Sequence, residues 1–146
     1  LAGSKAAVNR AVIAAKALGA KKAVVLALSV PSHCALMQPA AERLRERLAA
    51  INLVAPTIPV VNNVDVALPS DPAAIRDALV RQLYRPVRWV EDVRQMASAG
   101  LTLLVEAGPG KVLAGLNKRI EKGVETLPIF DPAGLTAALE KVTAAG

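Results

Sequence analysis

Aromatic residues are almost missing from this chain: one Trp, one Tyr and one Phe among 146 residues, 2% in all. A core must therefore be assembled from Ala, Val, Leu and Ile, and the stacking platforms that usually hold single-stranded nucleic acid are lacking. Cysteine occurs once, at Cys34, which excludes an internal disulfide and suits a reducing compartment. Histidine also occurs once, at His33, so one Cys and one His fall short of the three or four ligands of a zinc site. No apolar stretch reaches the length of a membrane span, and no basic segment followed by an apolar one resembles a secretory signal. The expectation is a cytoplasmic protein that uses no metal, membrane or nucleic acid. An initiating Met is lacking too. The chain opens on Leu1-Ala2-Gly3, which reads as the end of a strand, so a piece of a longer protein is expected.

What is present points to a globular α/β protein. Hydrophobic residues make up 53% and charged residues 21%, enough apolar content to fold and too little charge for disorder. The net charge of +6, from 18 Lys and Arg against 12 Asp and Glu, permits an anionic partner without choosing one. Two small basic clusters stand out, Arg81 with Arg85 and Arg88, and Lys118 with Arg119 and Lys122. On charge alone both read as solvated helix faces.

Periodicity sets the expected order of elements. Ser4 caps a helix whose apolar residues Val8, Ala11, Val12, Ala15 and Leu18 share a face, with Gly19 as its stop. The run KKAVVLALSV then reads as a buried strand ended by Pro31. Beyond His33, Leu36, Ala40, Leu44 and Leu48 recur every fourth position on an amphipathic helix. The prolines in PTIPVVNNVDV delay a strand to about Val60. Asp71 and Pro72 announce a helix with Ile75, Leu79 and Leu83 inward. A further helix after Pro86 turns Val90, Val93 and Ala97 inward and stops at Gly100. LTLLVE reads as a fully buried strand, AGPG as a turn, KVLAGLNKRI as a helix ended by Gly123, and ETLPIF as a last strand. DPAGLTAALEKV repeats the Asp-Pro helix start. Strands alternating with helices imply a mostly parallel sheet, with a subdomain boundary at the Pro-Ser-His corner.

Candidate chemistry is sparse. EAGPGKVLAG puts a glycine turn between a strand and a helix N-terminus, a place where backbone N–H groups hold anions. It is no Walker loop, because Val112 stands where Ser or Thr is required, and no dinucleotide fingerprint, because Leu113 takes the third glycine's place. A ligand-free turn is the better reading. Adjacent side chains do not face one another, so Cys34 is a poor partner for His33 and reads as a small buried hydrophobe. Ser4, Ser29, Ser32, Ser70 and Ser98 all lie outside any G-x-S-x-G elbow. A lone histidine without a nucleophile is half a mechanism.

Four blocks, SVPSHCALMQPAAERL, PTIPVVNNVDV, IRDALVRQLYRPVRW and EAGPGKVLAGLNKRI, resemble in order and register the C-terminal half of the bacterial malonyl-CoA:acyl carrier protein transacylases. The similarity runs from Leu1 to about Leu139. It implies an α/β-hydrolase-like large domain, of which residues 29–146 are the C-terminal part. Residues 1–28 would be the last strand-helix-strand of a ferredoxin-like small subdomain. It also implies transfer of a malonyl group from coenzyme A to the phosphopantetheine thiol of acyl carrier protein, in fatty acid biosynthesis, through a malonyl ester on a serine. His33 matches the family's general base and acid, and Gln82 the residue whose main-chain carbonyl orients that histidine. The family's nucleophilic serine, malonyl-binding arginine and oxyanion loop precede the matching region. The chain alone is therefore expected to be inactive. Malonyl-CoA enters as a substrate, and no tightly bound cofactor is expected. The acidic carrier protein would find a basic rim drawn from the clusters above. An acyltransferase domain with another acyl preference and a noncatalytic module binding an acidic partner are the alternatives.

Overall fold

Helix α1 (Lys5–Ala17) starts where the Ser4 side chain accepts a hydrogen bond from the Ala7 N–H at 3.4 Å, and it stops ahead of Gly19. Gly19 takes a φ of 88°, the left-handed conformation that ends a helix at least cost in glycine. Val8, Ala11, Val12 and Ala15 are half-buried, as expected, but Leu18, expected on the same face, is 89% exposed. The coordinates, a computed structural model, describe residues 1–145. They form two compact units, residues 1–88 and the chain from Trp89 onward. That division lies at a different place from the Pro-Ser-His corner.

The run from Lys21 to Val30 departs from expectation, because no strand forms there. Leu26 and Leu28 are each 70% exposed, and Val24, Val25 and Val30 are exposed as well. A strand exists only by pairing its N–H and C=O groups, and no described segment pairs with this one. The late strand near Val60 is likewise reduced to a single antiparallel bridge between Asn62 and Ala67.

In the first unit the core lies between α2 (Gln38–Ala49) and α3 (Pro72–Arg81), with a 3-10 turn at Ala35–Met37 leading into α2. Ala41, Leu48 and Val80 are buried together, and Leu44, Leu79, Leu83 and Tyr84 pack against them. The stripe on α3 differs from the expected one: Ala78 and Val80 are buried, whereas Ile75, Leu79 and Leu83 are half-buried. Asp71 caps α3 by accepting from Ala74 N–H at 2.8 Å. At the other end of α2, Arg76 donates to the carbonyls of Leu48 at 3.1 Å and Ile51 at 2.8 Å. These charge-assisted bonds close the carbonyls that a helix C-terminus leaves open.

The second unit is α/β. Helix α4 (Trp89–Ser98) buries Val93 and Asp92, and leaves Val90 45% exposed, contrary to the expected face. Strand β1 (Leu103–Ala107) and β2 (Glu125–Ile129) pair in parallel, from Leu103 opposite Glu125 to Ala107 opposite Ile129. Helix α5 (Val112–Ile120) is the crossover, and α6 (Pro132–Ala145) follows β2. β1 is half-buried at Leu103, Leu104 and Glu106 and exposed at Val105 and Ala107, so it is not the fully buried strand expected. α5 ends at Ile120, before Gly123. Asn117, 2% exposed, accepts from the Trp89 indole N–H at 3.0 Å and donates to the Thr126 hydroxyl at 3.3 Å, tying α4, α5 and β2.

Candidate functional site around His33

Pro31 and Ser32 bring the chain to His33 with a φ of 61°, a left-handed conformation uncommon for a residue with a Cβ. Such a backbone costs on the order of 1 kcal/mol and persists only where surrounding contacts hold it. Here they are two successive carbonyls. The His33 N–H donates to Leu83 O at 2.9 Å, and the ring Nδ1 lies 2.8 Å from Gln82 O. Both carbonyls stand just past the last residue of α3, where the helical ladder no longer consumes them.

This pairing decides the chemistry of the ring. A carbonyl only accepts, so Nδ1 must carry the proton, and the neutral ring keeps its lone pair on Nε2. His33 is exposed. An exposed ring with a defined tautomer is a usable proton acceptor. Among the described residues, no serine hydroxyl hydrogen-bonds it. Cys34 turns away and donates its thiol to Pro31 O at 3.1 Å.

Next to Gln82, Arg81 is the centre of an ion-pair network. Its Nη1 and Nη2 donate to the two oxygens of Asp65 at 2.6 Å each, and its Nε donates to Asp77 at 2.5 Å. The Asp65 loop is itself ordered: the Asn62 side chain accepts from the Val64 and Asp65 N–H groups at 3.1 and 2.8 Å. Hydrogen bonding to Arg81 holds the Asp65 carboxyl below its usual range, against the opposing effect of burial. The hydrogen bonds it donates, to Asp65 first and then to Asp77, hold the Arg81 guanidinium above its ordinary value. Arg81 was a candidate rim cation, and its guanidinium is already committed to two carboxylates. The i, i+4 spacing of Asp77 and Arg81 was legible in the sequence. The bond to Asp65, sixteen positions away, was not.

Past the glycine turn, two N–H groups in the first turn of α5 already have an acceptor. Glu106, from β1, accepts from Leu113 N–H at 3.1 Å and Ala114 N–H at 2.7 Å, so the chain's own carboxylate occupies the N-terminus of α5. Lys118, Arg119 and Lys122 are exposed, and the first two complement the C-terminal end of α5. Arg85 lies over the Tyr84 ring, 5.7 Å from its centroid. Among the described residues, no group of three or more His, Cys, Asp or Glu is arranged to hold a metal. Among the described residues, no helix is long and apolar enough to cross a membrane.

Comparison with known proteins supplies what the geometry leaves open. No family model matches the chain. The malonyl CoA-acyl carrier protein transacylase of Salmonella typhimurium is 58% identical over 139 residues, covering 95% of this chain and 45% of that protein. The chain belongs to the malonyl-CoA:acyl carrier protein transacylase family. An acyl-carrier-protein S-malonyltransferase from Burkholderia pseudomallei superposes on this chain with a TM-score of 0.90 at 54% identity, over 94% of this chain and 45% of that one. A malonyl-transacylase in complex with a type II polyketide synthase acyl-carrier protein superposes with a TM-score of 0.92 at 53% identity, over 95% and 45% of the two chains. The chain thus spans about 45% of the length of the transacylases it matches.

Proposed function

We propose that this chain carries the proton-transfer half of a malonyl transacylase site. The observation that supports it is the 2.8 Å pairing of His33 Nδ1 with Gln82 O, which leaves Nε2 as a base. In the proposed reaction Nε2 takes the proton of a serine hydroxyl while the serine oxygen attacks the malonyl thioester of coenzyme A. The C–S bond breaks as the C–O bond forms, and His33 returns its proton to the leaving thiolate. The phosphopantetheine thiol of acyl carrier protein then repeats the sequence in reverse, giving malonyl carrier protein and regenerating the serine. The Gln82 carbonyl fixes the tautomer, as the carboxylate of a Ser-His-Asp triad does, but stabilises imidazolium less than a buried carboxylate would. The chemistry asks for no cofactor beyond the thioester substrate.

In this reading the serine, the group that binds the malonyl carboxylate and the oxyanion donors come from the part of the transacylase that this chain does not span. The chain alone is therefore inactive. The parent fold is α/β-hydrolase-like, with residues 1–28 belonging to a ferredoxin-like inserted subdomain and residues 29–146 to the large domain. The enzyme acts in cytoplasmic fatty acid biosynthesis, and exposed cations such as Arg85, Lys118, Arg119 and Lys122 steer the acidic carrier protein. The test is His33→Ala in the full-length protein that contains this chain. Malonyl-serine formation should fall by about a thousandfold or more while circular dichroism is unchanged. Wild-type rates in that variant would remove His33 from the mechanism.

A further inference from the structure

We propose that Arg81 is a positioning residue for the His33 ring, acting through the last turn of α3 and never touching the ring itself. The proposal rests on the reading of His33 as the base and adds to it the device that aims the base. Arg81 is the last residue of α3. Its own carbonyl accepts from Tyr84 N–H at 3.2 Å and Arg85 N–H at 2.9 Å, and the next two carbonyls, of Gln82 and Leu83, are the ones that grip His33. The direction of those carbonyls depends on the rotation of the peptide planes that follow Arg81. A helix end with no side-chain anchor frays. This one is anchored: the guanidinium is planar and pre-organised, and its bidentate fork on Asp65 with a third bond to Asp77 permits one orientation of the side chain. Asp65 is held in turn by the Asn62 side chain and by the loop closed at Asn62 and Ala67. The fork thus links a loop, the end of a helix and the tautomer of an imidazole. No other contact of the Arg81 side chain is needed to explain it.

His33 is the only histidine of the chain, so its ring nitrogens are read without ambiguity by 15N NMR of the 146-residue chain. With the ring neutral, at about pH 9, the wild-type chain should show predominantly the Nδ1–H tautomer. Arg81→Met and Asp65→Asn should both lower the Nδ1–H fraction, and Arg81→Lys, which keeps the charge but not the fork, should recover only part of it. Arg45→Gln removes a 3.9 Å contact to Asp77 without touching the fork and should leave the tautomer as in wild type. In the full-length transacylase, Arg81→Met should lower kcat about tenfold with little change in KM, the mark of a misaimed base. A wild-type tautomer in the fork variants overturns the proposal, and so does an equal loss in Arg45→Gln. If Arg81→Met does not fold, Asp65→Asn decides the matter alone. Full activity of His33→Ala would instead dismiss the base, while the tautomer measurement would still report on the fork.

Discussion

Gln82 offers His33 a main-chain oxygen, so its side chain is not part of the contact. Gln82→Ala should therefore change the rate of the full-length enzyme by no more than about twofold, the scale of an ordinary surface substitution. A loss as large as that of His33→Ala in a single-turnover assay would assign the side chain a role of its own. Asp65 leads to a pH prediction. Its carboxyl titrates below the unfolded value of 3.8 because Arg81 donates to it. The stabilisation is thus complete above that value and disappears as pH falls through the lower folded one. Acid unfolding of the wild-type chain, followed by circular dichroism below about pH 4, should lose a component in Asp65→Asn, whose amide does not titrate. Legibility at this scale followed sequence distance. Ser4 and Asp71 were readable because each caps a helix within three positions, whereas the Asp77–Arg81 spacing, equally local, went unread. The left-handed backbone of His33 and the Asp65 fork depend on groups far along the chain.

Elements were most legible where local capping agrees with tertiary packing, as in α3 and α6. At the start of α6 the Asp131 side chain accepts from Gly134 N–H at 2.7 Å. Gly134 itself is required by close approach, since a Cβ there would meet Pro128 O at 2.6 Å. Gly134→Ala should force apart β2 and the start of α6 and lower the thermal midpoint, by on the order of 1–3 kcal/mol of stability. A midpoint equal to or above wild type would mean that the turn relaxes freely. At the far end of α2, Arg76→Met should cost about 1–3 kcal/mol, because it leaves the Leu48 and Ile51 carbonyls without their charged donor. Urea titration reads this directly, and an unchanged midpoint would show that water replaces the guanidinium. Burial faces were less legible. Val90 and Val93 were read alike from periodicity, but only Val93 meets neighbours that exclude water.

At the scale of the whole molecule, the run from Val24 to Val30 has the composition of a buried strand and the exposure of a loop. An apolar stretch of this kind, with unpaired backbone groups, promotes association. Leu26→Lys should raise the solubility of the 146-residue chain and reduce its concentration-dependent light scattering. Unchanged scattering would place the sticky surface elsewhere. Amides of this run should also exchange within the dead time of a hydrogen-exchange experiment, since its backbone bonding among the described residues is a local contact from Leu28 N–H to Leu26 O at 2.9 Å. Composition and periodicity alone determined that the chain is α/β, that its helices start at Ser4 and Asp71, and that His33 has no catalytic partner within reach in sequence. These follow from rules acting over one or two turns. Tertiary structure alone decided which potential strands exist, that Glu106 caps the first turn of α5, and that the ring of His33 is protonated on Nδ1. Each of these depends on a hydrogen-bonding group supplied from a distance, and periodicity carries no information about where such a group will come to rest.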